Sequence, residues 1–458
     1  MMFSRRSLWL LSLLALSMTA FGRSRGFYNP LSLLLYVLVA AGVCFVLLRF
    51  RSLDRPANGQ IPVWILYGAV LVNVVVQSQK PGVVYPSNMD LLAAARLMGY
   101  ALVVLVMLQC PPLFNRVPRR GRGMICALCA ATAAAILLMI PLISPDPAID
   151  VVTIQKEAAA SLRAGENPYQ KAEYANIYSP KTPWYPDGRM SSYPYPPLTM
   201  LAPLIGDPRW VPTFGHLFGA LTVFLIGRKR LPLLESFWLS FLVLYPPSAR
   251  FVLEQGWTDP NLVLGLSLVA LGYRSGRLVP SLLAFGLMLA FKQSMVILVP
   301  LVWMLWPTLK LRTYLWAAVI PVVTYLPFVL WAWPEGAKAM YADLVTFHAR
   351  TPFRPEALTL SALCFRMTGR AFPSAMSAVG LAGFGLGFLV LIKRIPPMPL
   401  FRQDRFLAFL LTFGFVFLST LLFSKHAFTN YFYLFHFVLV LALAWSRVED
   451  VREAAGSR

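Results

Sequence analysis

The chain has 458 residues, of which 58% are hydrophobic and only 13% are charged. Its mean hydropathy is +0.64, and several apolar runs approach the ~20 residues that a helix needs to cross a bilayer. A membrane barrel would show alternating segments of ~10 residues, which are absent, so helical spans are expected. The formal net charge of +22 is interpreted as a topology signal and not as a nucleic-acid surface, because basic loops remain on the cytoplasmic side.

In chain order, the apolar segments predict an all-α polytopic membrane protein with roughly 12–14 transmembrane helices. The spans are expected near 7–22, 30–48, 61–78, 90–109, 124–143, 208–227, 232–249, 258–273, 278–291, 294–308, 313–331, 376–392, 406–423 and 431–446. The first run follows Arg5 and Arg6, a pattern that fits both a first span and a secretory signal. Segment 356–372 fits either a surface helix or a partial span.

The basic residues of the loops predict how the helices are oriented. They fall at alternate turns and therefore share one side of the membrane, the cytoplasmic side. These basic turns are 116–122, 228–230, 274–277, 310–312 and 393–394. The long polar segment 144–197 has nearly equal numbers of basic and acidic residues, so we expect it outside. The tail, 447–458, is expected in the cytoplasm.

Known cofactor and metal motifs are missing from the sequence. It has no HExxH, DxD, Walker or GxGxxG motif, so neither a cofactor nor a metal is expected. Cys126 and Cys129 form a CxxC on a predicted membrane helix and are interpreted as packing thiols. No disulfide framework is indicated.

The outer segment begins with a pattern that predicts an interfacial helix over 151–164. Ile154, Ala158 and Leu162 share one face at i, i+4 and i+8. Asp150 stands in the N-cap position, and Gly165 is expected to end the helix. The plain interpretation of Asp150 is therefore that of a cap. Downstream, a stretch dense in Tyr and Pro fits a rigid surface that binds sugars, and equally an interfacial aromatic belt.

Polar residues interrupt the apolar pattern at the predicted outer ends of the spans. The stretch "GLMLAFKQSMVILVP", 286–300, has Lys292 and Gln293 at its centre, where a charge costs roughly 3 kcal/mol or more. The other outer-end polar residues are Glu254, Asp259, Lys425, His426 and Asn430. A set of unrelated structural ion pairs would not be expected to collect on one side, so a functional site is predicted there.

Five short motifs in this order resemble the GT-C membrane glycosyltransferases, most closely glycosyltransferase family 87. They are "GENPY" (165–169), "YPYPPL" (193–198), "EQGWTDP" (254–260), "FKQ" (291–293) and "SKHAFTNYFYL" (424–434). The resemblance covers about 124–446. Several spans precede that region, which leaves open a fused or unrelated N-terminal region.

The resemblance implies a GT-C-like bundle whose outer segment, 144–197, carries the catalytic base. The implied reaction is an inverting transfer of a mannose- or arabinose-like sugar from a polyprenyl-phosphate donor to a glycan or glycolipid acceptor. Asp150 is the expected general base on the acceptor hydroxyl, and Asp146 competes for that position. The expected location is the cytoplasmic (inner) membrane, with the site on its periplasmic or extracellular side.

The resemblance also implies a set of binding residues. The cations expected to hold the donor phosphate are Lys292, Lys425 and His426. The residues expected to contact substrate are Asn167, Tyr169, Tyr195, Glu254, Gln255, Trp257, Asp259, Gln293, Asn430 and Tyr431. For Lys292, the competing interpretations are a structural pair with Glu254 or Asp259, or a side chain that snorkels to the membrane interface.

The predicted organisation is an N-terminal transmembrane region (1–123), a glycosyltransferase core (124–446) and the tail. The main alternative function is a secondary transporter or flippase for a lipid-linked or anionic substrate, since charges inside the membrane can line a transport path. A lipid-oligosaccharide ligase or polymerase would also act on the outer face. A membrane scaffold explains the convergence of polar residues least well.

Overall fold

The structure is a computed structural model, and the part that it describes is helical apart from one very short strand pair. The described residues are 2–24, 27–50, 52–53, 61–79, 82–175, 192–306, 310–351, 353–370, 372, 402–425, 427–446 and 448–449. The predicted span at 376–392 lies outside them, as do His426 and most of the tail. Strands β1 (Met2–Phe3) and β2 (Val448–Glu449) pair antiparallel.

The helices follow the predicted spans closely in the described part of the chain. Before the outer segment they are α1 (Arg5–Ser24), α2 (Pro30–Leu48), α3 (Ile61–Gln79), α4 (Met89–Met107), α5 (Pro111–Phe114), α6 (Arg119–Leu138) and α7 (Ile140–Ile143). The outer segment contributes α8 (Asp150–Arg163), α9 (Pro197–Leu201) and two 3₁₀ turns, Pro168–Gln170 and Ala202–Ile205.

The remaining helices form the second half of the bundle. They are α10 (Trp210–Gly227), α11 (Leu233–Leu244), α12 (Ala249–Glu254), α13 (Asp259–Ser275), α14 (Leu278–Phe291), α15 (Leu311–Tyr314), α16 (Trp316–Leu330), α17 (Glu335–Tyr341), α18 (Phe347–Arg350), α19 (Leu360–Thr368), α20 (Arg402–Phe423) and α21 (Thr429–Trp445). A 3₁₀ helix, Gln293–Met304, follows α14, and a π-helical turn, Ala342–Thr346, follows α17. In the described part of 356–372, the nine-residue α19 is the only helix.

The structure supports a membrane protein with several helical spans. Among the described residues, five helical segments are long and apolar enough to cross a bilayer: Pro30–Leu48, Met89–Met107, Arg119–Ile143, Trp210–Gly227 and Arg405–Phe423. In the described part, further apolar helical segments have 10–17 residues, for example Leu278–Phe291 and Trp316–Leu330, so the larger number of spans remains a prediction. Large apolar side chains on the outside of the bundle are exposed and suit contact with lipid, for example Leu34, Leu97, Val104, Leu221 and Val323.

The N-terminal helices share one hydrophobic core with the rest of the chain. Helix α1 packs against α2 and α21, α2 packs against α20, and α3 packs against α11. Tyr36 of α2 stacks on Phe432 of α21 with ring centroids 4.2 Å apart. Between α11 and the turn after α4, Trp238 Nε1 donates to Gln109 Oε1 at 2.9 Å. The region 1–123 is therefore an integral part of the bundle.

The interfacial helix exists, but its first residue differs from the prediction. Helix α8 begins at Asp150 itself, and Ile149 is the N-cap, without a side-chain hydrogen bond. The predicted N-cap position of Asp150 was therefore wrong by one residue, although Asp150 Oδ1 still accepts from the Val151 N–H at 2.8 Å. The predicted end is confirmed. Gly165 has φ +74°, its N–H donates to Leu162 O, and the next N–H donates to Ser161 O, as in a Schellman motif.

Lys292 interrupts the helical backbone between α14 and the 3₁₀ helix. It is extended, with φ −153° and ψ 113°, and its N–H closes α14 on Met288 O. The 12-residue 3₁₀ helix that follows rises ~2.0 Å per residue, so it extends about 24 Å, where an α-helix of that length would extend about 18 Å. The break allows the Lys292 side chain to leave the helix axis and enter the neighbouring site.

Glycines let α10 approach α13 closely. A Cβ at Gly215 would lie 2.6 Å from the carbonyl oxygen of Pro260, and one at Gly219 would lie 2.3 Å from a Val263 methyl group. Gly215 and Gly219 thus form the GxxxG spacing that brings two helix backbones together in membranes. This contact holds the first turn of α13, where Asp259 lies, in place.

We expect Gly215→Ala to destabilise the protein by roughly 1–3 kcal/mol, because a backbone carbonyl cannot move away from the added methyl group as a side chain could. Gly123→Ala on α6 is the matched control, since nothing lies within 4 Å of a Cβ there. Thermal unfolding in detergent micelles measures both. A Gly215→Ala midpoint equal to that of Gly123→Ala would contradict the close approach.

Candidate functional site

The centre of the candidate site is a buried network of Asp259, Lys292 and Asn430. Lys292 Nζ lies 2.7 Å from Asp259 Oδ1, and Asn430 Nδ2 donates to Asp259 Oδ2 at 2.7 Å. The Asp259 side chain is fully buried, and that of Lys292 is only 12% exposed. Asp259 is also the first residue of α13, whose free N–H groups favour a carboxylate. The network joins the starts of α13 and α21 to the break after α14.

An aromatic face completes the environment of the lysine. Lys292 Nζ lies 4.0 Å from the centre of the Tyr431 ring, a cation–π contact. An ammonium has three N–H donors, and among the described residues its hydrogen-bond partner is Asp259. Lys292 therefore retains capacity to donate to a ligand. The predicted structural pair with Asp259 is also present, so pairing and ligand contact have to be tested together.

Gln293 and His348 attach the outer segment directly above this network. Gln293 Nε2 donates to Pro194 O at 3.1 Å and lies 2.9 Å from His348 Nε2, which is itself 3.0 Å from Pro194 O. Burial lowers the pKa of His348, and the positive charges of Lys292 and Lys425 lower it further. His348 was not among the predicted site residues. Its place beside both lysines makes it a site residue that the sequence did not reveal, since it belongs to none of the five motifs.

The tyrosines of the outer segment form a small core of their own. Tyr169, Tyr174 and Tyr193 are all nearly or fully buried, and they pack with Phe328 of α16. Tyr169 donates its hydroxyl to Tyr195 O at 2.8 Å. These rings are therefore in contact with one another, and most of their surface is not available to a ligand. Their packing holds the described parts of the outer segment on either side of 176–191 against α16.

A buried carboxyl group lies at the edge of this aromatic core. Asp343 Oδ2 accepts from the Tyr193 N–H at 2.8 Å. Burial raises the pKa of Asp343 from 3.8 to about 6, although that hydrogen bond acts in the opposite direction. Asp343 was not predicted, because a lone Asp in a mostly apolar helix carries no sequence signal for burial beside a distant tyrosine.

The two competing aspartates have different environments. Asp146 is 86% exposed in its side chain and pairs with Lys156 at 2.9 Å, and this hydrogen bond keeps the pKa of Asp146 below its usual range. Asp150 is half-buried at the start of α8. Two residues further, the side chain of Val152 packs on Gly256, and Gln155 Nε2 donates to Gly256 O at 3.2 Å. The start of α8 is thus fixed to the turn that leads into Asp259.

Arg209 holds the beginning of the outer segment, a role that was not predicted. This fully buried guanidinium pairs with Asp207 at 2.6 Å and donates to the backbone carbonyls of Pro141, Ser144 and Pro145. These carbonyls include the end of α7, where the helix leaves its last acceptors unsatisfied. Arg209 therefore fixes the point at which the chain leaves the bundle and continues towards Asp150.

Other predicted site residues have structural partners. Both Glu254 oxygens accept backbone N–H groups, from Val84 at 2.6 Å and from Tyr85 at 2.7 Å. Glu254 therefore holds the 82–88 loop, and Gln255 Nε2 lies 3.5 Å from it. Trp257 packs edge-on against Phe251.

Two further predicted residues contact the backbone. Lys425 Nζ donates to Ala349 O at 2.7 Å and to Thr351 O at 3.3 Å. Asn167 Oδ1 accepts from the Tyr169 N–H at 3.1 Å and so caps the 3₁₀ turn that follows it. His426, the third predicted phosphate ligand, lies outside the described residues.

Comparison with known proteins assigns neither a family nor a function to the chain. No protein-family model, curated protein or solved structure matches the chain. Within the described ranges, no group of three or more His, Cys, Asp and Glu side chains is arranged to hold a metal ion. The chemistry of the site therefore has to be argued from its own residues.

We expect Lys292→Met to cost about 3–5 kcal/mol, because it leaves the Asp259 carboxylate buried without its cation. Adding Asp259→Asn should restore part of this loss, since the stranded charge is then removed. Unfolding of both variants in detergent measures the coupling. The exposed pair Glu335–Lys338 is the control, where Lys338→Met should cost about 1 kcal/mol or less. Equal losses for Lys292→Met and Lys338→Met would exclude a buried ion pair.

A second prediction concerns the dependence of stability on pH. The pKa of Asp343 is raised in the folded protein, so its protonated form stabilises the fold at low pH. This contribution is complete below about 4 and is lost as the pH rises to about 6. Asp343→Asn keeps an acceptor for the Tyr193 N–H, and its thermal unfolding midpoint should change less with pH across this range than that of the wild type. If the thermal midpoint of the variant changes with pH as steeply as that of the wild type, Asp343 is not the cause of the pH dependence.

Proposed function

We propose that the chain is an integral membrane glycosyltransferase. It transfers a sugar, mannose- or arabinose-like, from a polyprenyl-phosphate donor to a glycan or glycolipid acceptor at the outer face of the membrane. The observation that carries this proposal is the buried Asp259–Lys292–Asn430 network at the helix break, with the outer segment attached over it through Gln293 and His348.

The network suits the phosphate end of a lipid-linked donor. A lysine can bind phosphate as a point charge, and Lys292 keeps donor capacity while Asp259 and Tyr431 fix its position. The lipid chain of the donor would remain in the bilayer beside the exposed apolar helices. Lys425 lies close enough to act on His348 together with Lys292, so a second cation is available on the same side of the bundle.

Asp150 is the residue that we assign as general base. The free N–H groups at the N-terminus of α8 favour a negative charge beside them, and a carboxylate placed there can accept a proton from an acceptor hydroxyl. Asp146 is less suited, because Lys156 and solvent already surround its carboxylate. The attachment of α8 to Gly256 supports a fixed distance between the base and the Asp259 network.

A transporter or flippase remains the second candidate, and one observation favours it. The extended backbone at Lys292 between two helical segments resembles the broken helices that form binding sites in transporters. Such a protein would move a lipid-linked or anionic substrate without forming a glycosidic bond. Analysis of products from purified protein in vesicles separates the two functions.

Asp150→Asn tests the assignment of the base. Asparagine preserves the size and the acceptor oxygen but cannot take up the proton, so we expect sugar transfer to fall by ~10²–10⁴ with donor binding retained. Purified protein in vesicles, given labelled polyprenyl-phosphate mannose or polyprenyl-phosphate arabinose and membrane acceptor lipids, provides the assay.

Asp146→Asn is the matched control and should keep most of the transfer activity. If Asp150→Asn transfers sugar at the wild-type rate, Asp150 is only part of the helix start, and the assignment of the base is wrong. If wild-type protein forms no glycoside from either donor but moves lipid between leaflets, the transporter is the correct function.

A further inference from the structure

A cavity at the opposite end of α13 from Asp259 has walls of two kinds. It has a volume of about 950 Å³, and Lys229, Arg274 and Arg277 line one end of it. The 17 residues of α13 extend about 25 Å, so this cavity lies far from the candidate active site. It is at the end of the bundle that the basic turns assign to the cytoplasm.

Apart from Gly272 and Ser275, the remaining walls of the cavity are apolar, and the leucines among them follow helix periodicity. On α13 they are Leu268 and Leu271, and on α14 they are Leu283 and Leu287. From Arg277 to Leu287 the chain rises about 15 Å, which matches the hydrocarbon depth of one leaflet, about half of 30 Å. The cavity therefore offers apolar contact over the length of an acyl chain, with cations at the depth of a headgroup.

The charge around the cavity mouth is of one sign. Lys229 and Arg277 are exposed, and Arg274 donates to Leu225 O at 3.0 Å. Among the described residues, no acidic side chain lines the cavity. Three cations without a carboxylate partner in the same wall repel one another, so an anion placed among them would lower the free energy of the site.

The turn between α13 and α14 keeps these cations in place. Gly276 has φ +79°, and the Arg277 N–H donates to Gly272 O at 2.9 Å, which closes the end of α13. A Cβ at Gly272 would lie 2.5 Å from Ser281 Oγ, so the two helices are in close contact here. Arg274 and Arg277 are therefore set on a rigid hairpin on either side of the turn.

We propose that this cavity binds one anionic glycerophospholipid of the cytoplasmic leaflet. The phosphate group lies among Lys229, Arg274 and Arg277, and one acyl chain lies along the leucines of α13 and α14. Basic pockets between transmembrane helices on the cytoplasmic side are the usual sites for such headgroups. The bound lipid compensates the charge cluster and fills the gap between α10, α13 and α14.

Native mass spectrometry of the detergent-purified chain tests the site directly. Phosphatidylglycerol and phosphatidylcholine with identical acyl chains are added in turn. We expect wild-type protein to keep one phosphatidylglycerol molecule at concentrations where phosphatidylcholine is lost. Equal retention of the two lipids would overturn the proposal, and this comparison requires no variant.

Lys229→Gln with Arg277→Gln should weaken binding of that one phosphatidylglycerol roughly 30-fold, since two cations near the headgroup are removed. Arg274 is kept because of its bond to Leu225 O. Arg116→Gln with Arg120→Gln is the matched control: it removes the same charge from another exposed basic turn that does not line the cavity. Leu271→Trp should fill the apolar wall and reduce binding without any change of charge. Equal loss in the control pair would show general surface attraction and exclude a site.

Discussion

The buried pair between Asp259 and Lys292 is the interaction on which the outer end of the bundle depends. Asp259 begins α13, and Lys292 stands where α14 gives way to a 3₁₀ helix. A charge in this position is costly unless it is paired and hydrogen-bonded. Lys292 donates to one oxygen of the Asp259 carboxylate, Asn430 donates to the other, and the helix N-terminus stabilises the negative charge. The helix break and the ion pair therefore require each other, because an unbroken helix would not direct Lys292 towards Asp259.

The outer segment is fixed to that pair from two directions. Arg209 binds the carbonyls where the segment leaves α7, and Gln293 and His348 bind Pro194 where it returns. Between these points, α8 rests on Gly256 and the tyrosines pack against one another. The described parts of this polar segment, 144–175 and 192–197, are thus held in place by a few buried polar contacts and a small aromatic core. Such support suits the transfer reaction that we propose, which must position two substrates.

The sequence predicted the positions of the helices well, but it predicted few of the contacts between residues that are far apart in the chain. The length of an apolar run and the glycine that ends a helix are local features of the sequence. The positions of the helices and the end of α8 at Gly165 could therefore be predicted. The meeting of Lys292 with Asp259 was anticipated as one of two pairings, because both lie at predicted outer ends. The roles of Arg209, Asp343 and His348 depend on residues far away in the chain, and no local pattern encodes such contacts. The 3₁₀ form after Lys292 was also missed, since hydropathy does not separate it from an α-helix.

The charge of the central network sets a condition on any anionic ligand. Lys292 and Asp259 together are neutral, so they offer an incoming phosphate hydrogen bonds but little net attraction. The additional positive charge must come from groups nearby, and Lys425 is the cation that acts on the same histidine as Lys292. Its ammonium rests on two backbone carbonyls, which can be exchanged for a phosphate more cheaply than a buried carboxylate can. In the donor site that we propose, Lys292 would fix the geometry and Lys425 would supply the charge that attracts the phosphate.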